Sequence, residues 1–260
     1  MSTNESLYTL ENGIGNVIFN RPQSRNALTF EMYAHLADIC AHIPNDNSLR
    51  AIVVSGAGGK AFAAGTDISL FRDFKGAESG IDYETRMAAH FEHIERCPIP
   101  MIAAISGACT GGGAAIAAFC DIRLASADMK FGFPIARTLG NCLSAANLAK
   151  LASLVGPSRV TEMIFTSRLL GAEEALSIGL VSEVLPSHDA VIARANELAR
   201  DIAGMAPLTL RVTKELLRRV RTDGPNAKDE DMVSLAYGSA DFREGLESFL
   251  AKRPPQWKGR

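Results

Sequence analysis

The run Gly111-Gly112-Gly113 follows an uncharged apolar segment and precedes an alanine-rich one, an order that reads as strand, turn and helix. Backbone N–H groups at such a junction can face an anion, with help from the helix dipole. Two nucleotide signatures are excluded. No Gly-Lys-Ser/Thr follows for a P-loop, and Gly107 with Gly111 to Gly113 misses the dinucleotide spacing. Glycines chosen only for close strand-helix packing would look the same in this segment. A second glycine-flanked stretch, Ala61-Phe62-Ala63-Ala64-Gly65-Thr66-Asp67, follows another short apolar strand. His90 and His93, three apart beside Glu92 and Glu95, raise metal binding, but no HExxH and no third ligand accompany them. They read as a solvated helix face, and no metal is expected.

Around these segments the pattern predicts α/β units for two thirds of the chain and helices thereafter. A hairpin is expected from Leu7 to Leu10 and Ile14 to Phe19 about an Asn12-Gly13 turn. Thr29 should cap a helix from Phe30 to Ile43, and Ala51 to Val54 should be a buried strand. A charged helix is expected from Tyr83 to Arg96, a strand at Ile122 to Ala125, and a helix starting near Ser144. Further helices are expected at Pro157–Thr166, Ala172–Ile178, Asp189–Ala203, Leu208–Val220 and Asp231–Leu250, with a strand in Leu180–Leu185. No internal repeat or low-complexity tract is evident.

Composition removes several classes of function. The 260 residues are 47% hydrophobic with net charge −2, which suits a globular protein and gives no basic excess for nucleic acid. Five cysteines without a CxxC pair fit a reducing compartment, so a cytoplasmic location is expected. The start MSTNESL lacks both the basic cluster and the apolar stretch of a leader. Cys97 to Cys120 carries no charge and is long enough to span a bilayer, but Pro98, Pro100, Gly107 and the glycine run divide it. A buried strand-turn-helix is the better reading, and no membrane partner is expected.

Four segments in order, RPQSRNAL, GAGGKAFAAGTDI, SGACTGGGAAIAAFCDI and FLAKRPPQW, together resemble the crotonase, or enoyl-CoA hydratase/isomerase, family over nearly the whole chain. The resemblance implies a crotonase-like spiral of ββα units holding an acyl-CoA site (residues 1–195). A helical trimerisation region (196–260) would follow, in a homotrimer or dimer of trimers. It implies that two main-chain N–H groups, at Ala64 and Gly112, hold the oxygen of an acyl thioester. Coenzyme A, carried by the substrate and not a permanently bound cofactor, would meet Arg25, Asn26, Ala27 and Leu28. Ala63, Asp67 and Ile68 would flank its pantetheine, and Lys252 and Arg253 would lie near its phosphates. The chemistry is consistent, because a reaction beside a thioester carbonyl loads negative charge onto that oxygen, and fixed donors stabilise it.

The chain departs from the hydratase pattern at two positions. Where the resemblance places two glutamates that handle water and protons, this sequence has Ala115 and Ile135, which cannot exchange protons. Replacement groups are sought in the neighbouring segment: Arg137, Asn141, Cys142 and Ser144. Asn141 or Ser144 could hold a water or hydroxyl, and Cys142 could act as acid or base if its thiolate were favoured. Equally, Ser144 suits a helix cap, Asn141 a turn after Gly140, and Cys142 a small apolar site. The expected function is an acyl-CoA-processing enzyme that stabilises a thioester enolate, with isomerisation or another proton shift favoured over hydration. The alternatives are a non-catalytic acyl-CoA-binding protein, a divergent hydratase and a thioester hydrolase.

Overall fold

The structure, a computed structural model, describes residues 4–260. Residues 1–3, part of the segment read for a leader, lie outside them. Strands β1 (Ser6–Glu11) and β2 (Ile14–Phe19) form the expected hairpin. Its Asn12-Gly13 turn has φ of 52° and 80°, the left-handed values this dipeptide favours. Thr29 caps α1 (Phe30–Ala41), its hydroxyl accepting from the Met32 N–H at 3.4 Å. Then come β3 (Ala51–Gly56), β4 (Ala61–Ala63) and α2 (Ala77–Glu95). Helix α2 begins six residues before the expected start at Tyr83.

The uncharged segment is β5 (Met101–Ile105), β6 (Ala108–Thr110) and α3 (Gly112–Phe119). After it follow β7 (Ile122–Ser126), β8 (Lys130–Gly132), α4 (Ala145–Val155), α5 (Pro157–Thr166), β9 (Leu170–Gly171), α6 (Ala172–Ser177) and β10 (Glu183–Leu185). The chain ends with α7 (His188–Ala203), α8 (Pro207–Asp223), α9 (Glu230–Tyr237) and α10 (Ala240–Leu250). The single helix expected over 231–250 is thus two. Ser239 interrupts it because its hydroxyl caps α10, accepting from the Phe242 N–H at 3.0 Å. Among the described residues no helix is long and apolar enough to cross a membrane.

The strands divide between two sheets. The larger has the order β1-β2-β3-β5-β7-β10, parallel except for the hairpin. The smaller has the order β4-β6-β8-β9. The pairs β3–β4, β5–β6 and β7–β8 each place a longer strand in the large sheet and a short one in the small sheet, and a helix follows each pair. The result is a stack of ββα turns without any visible sequence repeat. Alternate residues of the central strands serve the two faces, so Ile52, Val54, Met101, Ala103 and Ile105 enter the main core. Ala51, Val53, Ile102 and Ala104 instead meet Val191, Ala195 and Ala199 of α7. The boundary expected at 195/196 therefore falls inside α7, whose Ala199 still packs on the sheet. The helical appendage starts after Ala203.

Candidate active site

A cavity of about 190 Å³ opens where β4 and β6 end side by side, with Ala63 paired to Cys109. Ala64, Thr66, Gly112, Ala115 and Ile135 line one side of it, and Tyr83, Glu84, Met87 and Phe91 of α2 another. Two glycines fix how closely the strand ends approach. Gly65 has φ +107°, which side chains rarely adopt. A β-carbon at Gly112 would collide with the Tyr33 hydroxyl and lie 3.1 Å from the Thr66 hydroxyl. Gly112 is therefore fixed by its neighbours and not by packing of strand on helix alone.

The expected pair of main-chain donors is half corrected. Gly112 is the first residue of α3, where an N–H has no intrahelical acceptor. It has no partner among the described residues. The Ala64 N–H, in contrast, donates to the Arg25 carbonyl at 3.0 Å and is not available to a ligand. The available amide is that of Thr66, because the flanking bonds, from Leu28 N–H to Gly65 O at 2.8 Å and from Asp67 N–H to Leu28 O at 2.9 Å, pass it by. The left-handed turn at Gly65 breaks the strand alternation that would otherwise give Ala64 and Thr66 the same surroundings.

Thr66 also joins a hydroxyl chain beside Gly112. Its Oγ1 is 2.9 Å from the Tyr33 hydroxyl and 3.0 Å from that of Tyr83. Burial pushes the Tyr33 hydroxyl far above its ordinary value, and burial also raises Tyr83. Both phenols stay protonated, as donors and not bases. Glu84 lies half-buried in the same wall, and burial holds its carboxyl above the ordinary carboxylate value.

Asn141 and Cys142 reach the cavity, both with exposed side chains. Arg137 is exposed and does not line it. Ser144 does not line it either. Its hydroxyl caps α4 by accepting from the Asn147 N–H at 3.4 Å, and Asn147, one turn further on, forms part of the wall instead.

The loop residues expected to meet coenzyme A divide by role. Asn26 is fully buried and clamps the loop, donating to Ala57 O at 3.0 Å and Ala61 O at 2.8 Å and accepting from Arg21 N–H at 2.9 Å. Both of its amide protons are taken by those carbonyls, and full burial keeps the remaining lone pair of Oδ1 away from a ligand. Leu28 is buried in the core, Ala63 is buried in β4, and Ala27 gives its carbonyl to Arg21 at 2.7 Å. Asp67 accepts from the Ser69 hydroxyl at 2.7 Å and pairs with Arg21 at 3.0 Å. Ser69 first, then Arg21, holds its carboxyl below the ordinary value, so it braces the loop and is no base. Arg25 is exposed without an ion pair among the described residues, and Ile68 is exposed at the mouth of the cavity.

In the tail, Lys252 is exposed, while Arg253 is bound in fork geometry by Glu244 at 2.6 and 2.9 Å. Glu244 also accepts from the Gln256 N–H at 2.9 Å, so Arg253 organises the tail and is not a free cation for a phosphate. Trp257 stacks beside Gly245 in a groove of the C-terminal helices. Among the described residues, no group of three or more His, Cys, Asp or Glu side chains is placed to hold a metal ion.

The sequence model of the enoyl-CoA hydratase/isomerase family matches residues 9–260. The chain is 31% identical over 256 residues to a short-chain-enoyl-CoA hydratase of Clostridium acetobutylicum, covering 97% of each. It is 35% identical over 237 residues to a probable enoyl-CoA hydratase of Bacillus subtilis, covering 90% of this chain and 91% of that one. Among solved structures, an enoyl-CoA hydratase/carnitine racemase from Magnetospirillum magneticum superposes with a TM-score of 0.90 at 35% identity, covering 100% of this chain and 97% of that one.

Proposed function

This chain belongs to the enoyl-CoA hydratase/isomerase family, and from that premise we propose that its cavity takes the acyl end of a coenzyme A thioester and stabilises the enolate formed beside the carbonyl. The preferred outcome is a shift of a double bond and not the addition of water. The observation that carries this reading is the pair of amides, Thr66 and Gly112, that are unengaged among the described residues on the wall of one cavity. Each such donor aimed at a developing oxyanion lowers a barrier by about 3 to 4 kcal/mol. Both remain charge-neutral and rigid, so they favour the enolate over the thioester without reorganising.

The case against hydration is chemical. Adding water requires groups that hold it and pass protons, and the two positions where the resemblance implies glutamates are hydrocarbon here. Ala115 and Ile135 both face the cavity. A double-bond shift needs only one base within reach of two carbons. Arg25, exposed and without an ion pair among the described residues, supports a role for its loop at the phosphate end of coenzyme A, and Ile68 supports contact with the pantetheine.

The test is a panel of 3-enoyl-CoA and 2-enoyl-CoA esters followed by ultraviolet absorbance and mass. Conversion of a 3-enoyl ester to its conjugated isomer raises absorbance at constant mass, which is the expected result. Loss of conjugation with the gain of one water would establish hydration instead, the activity for which the relatives from C. acetobutylicum and B. subtilis are named. Free thiol release would mark a hydrolase, and binding without turnover an acyl-CoA-binding protein.

A further inference from the structure

The cavity has no carboxylate at Ala115 or Ile135, yet it is not without one. Glu84 is the only Asp or Glu on its wall among the described residues, and it arrives from α2, a different side of the pocket. On that helix Met87 and Phe91, three and seven residues on, are buried and line the same cavity. Glu84 thus shares the inward face of α2 and does not project into solvent with its neighbours Asp82 and Thr85. It accepts no hydrogen bond and forms no ion pair among the described residues, so its oxygens are uncommitted.

Glu84 and the two amides line the same cavity, with Tyr33, Tyr83 and Thr66 on its wall as well. The Glu84 charge acts on both Tyr33 and Tyr83, whose hydroxyls flank Thr66 Oγ1. The Tyr33 hydroxyl in turn abuts Gly112. Beyond Glu84 the cavity continues into a second, apolar one of about 580 Å³, with Phe71, Tyr83, Glu84, Leu139, Asn141 and Cys142 shared between the two. An acyl chain whose thioester oxygen lies at Thr66 and Gly112, and whose tail follows the apolar route, would run along the wall that carries Glu84.

We propose that Glu84 is the proton-transfer group of this site, taking a proton from the α-carbon of a 3-enoyl thioester and returning it to the γ-carbon. This rests on the enolate reading above. In the first step the α C–H bond breaks, its proton binds a Glu84 oxygen, and its electron pair forms a C1–C2 double bond as the carbonyl pair moves onto oxygen. In the second step the carbonyl reforms, the C1–C2 pair becomes the C2–C3 double bond, and the former C3–C4 pair takes the proton from Glu84 at C4. No oxidant, reductant or water enters. Burial raises the affinity of Glu84 for a proton above that of an ordinary carboxylate, while the protonated phenols of Tyr33 and Tyr83 cannot compete for that role.

Glu84→Gln keeps the size of the side chain and removes the base. In deuterium oxide, wild-type protein should isomerise a 3-enoyl-CoA, with deuterium entering only as far as the proton held by Glu84 exchanges with solvent, and Glu84→Gln should lower isomerisation by about 100-fold or more. Affinity for the ester should change by less than about threefold, because the amides are untouched, and Glu84→Asp should recover part of the rate. Glu84→Ala, a second variant, should regain turnover on addition of formate or acetate. Glu84→Gln turnover within threefold of wild type would overturn the assignment while leaving the enolate reading intact. Wild-type protein that binds the esters but neither exchanges the α-proton nor isomerises any of them would overturn both.

Discussion

Gly112→Ala places a methyl group on top of the Tyr33 hydroxyl oxygen, and this collision decides the sign of its effect. Glycine to alanine in a helix ordinarily stabilises by up to about 1 kcal/mol. Here the added carbon would also lie 3.0 Å from Tyr33 Cζ and 3.1 Å from Thr66 Oγ1, and Tyr33 itself is 1% exposed with nowhere to retreat. Overpacking of this kind costs about 1 to 3 kcal/mol, which exceeds the propensity gain. Tyr33→Phe alone should cost about 1 kcal/mol, since it deletes one hydrogen bond while Thr66 keeps its bond to Tyr83. The double variant, with the offending oxygen gone, should be no less stable than Gly112→Ala alone, a favourable coupling of about 1 kcal/mol. Urea unfolding of the four proteins, read at constant slope, measures this directly. Gly112→Ala at or above wild-type stability, or strictly additive losses, would refute the close approach on which the geometry of the amide pair depends. The same collision makes Gly112→Pro a poor probe of the Gly112 donor, because the ring would strike Tyr33 as it removes the N–H.

Other outcomes follow from single groups. Arg123 is buried and donates to the carbonyls of Leu180 and Cys120 at 2.7 Å each, so Arg123→Met should cost about 3 kcal/mol or more in urea unfolding by leaving them unpaired, and an unchanged midpoint would contradict this. Asp67 has a depressed carboxyl, so its contribution is present above about pH 4 and is lost as pH falls through the folded value. Asp67→Asn should therefore lower the melting temperature at pH 7, with the gap closing in acid, and a gap that does not change with pH would count against the brace. Ala115→Glu combined with Ile135→Glu places two carboxyls in a buried wall, where one should hold a proton while the other stays ionised. The doubly substituted protein should gain hydration of 2-enoyl-CoA, and a folded variant without any would show that more than two carboxylates is missing.

Local chemistry made much of the fold legible. Asn12-Gly13 and Thr29 have intrinsic conformational preferences that need no tertiary partner, and both appear where the sequence put them. The uncharged strand-turn-helix was readable because parallel strands buried on both faces lose the polar half of their pattern. Helix α2 was misplaced at its start because its first turns, Ala77 to Asp82, are largely exposed and carry little apolar periodicity. The break at Gly238-Ser239 was lost for a related reason: a cap inside an amphipathic run is visible only by its hydrogen bond.

In the site, the division between legible and hidden follows the division between backbone and side chain. Gly112 announced itself, since a donor that is a main-chain amide needs a glycine wherever a neighbour would strike a β-carbon. The second amide was assigned two residues early, to Ala64, because one left-handed residue reverses which amide is engaged and its φ is not written in the sequence. Asn26 looked like a ligand contact because loop amides bind ligands, but a fully buried amide with three hydrogen bonds is already spent on holding its own loop. In the sequence Glu84 is one charge among several on a charged helix. Only the burial of Met87 and Phe91 shows that its face of α2 turns inward. A rigid pair of amides fixes where charge must develop, whereas any wall of the cavity can supply the group that moves the proton. Hydrocarbon at Ala115 and Ile135 is therefore compatible with enolate chemistry as long as another wall holds a base, and α2 places the Glu84 carboxyl on one.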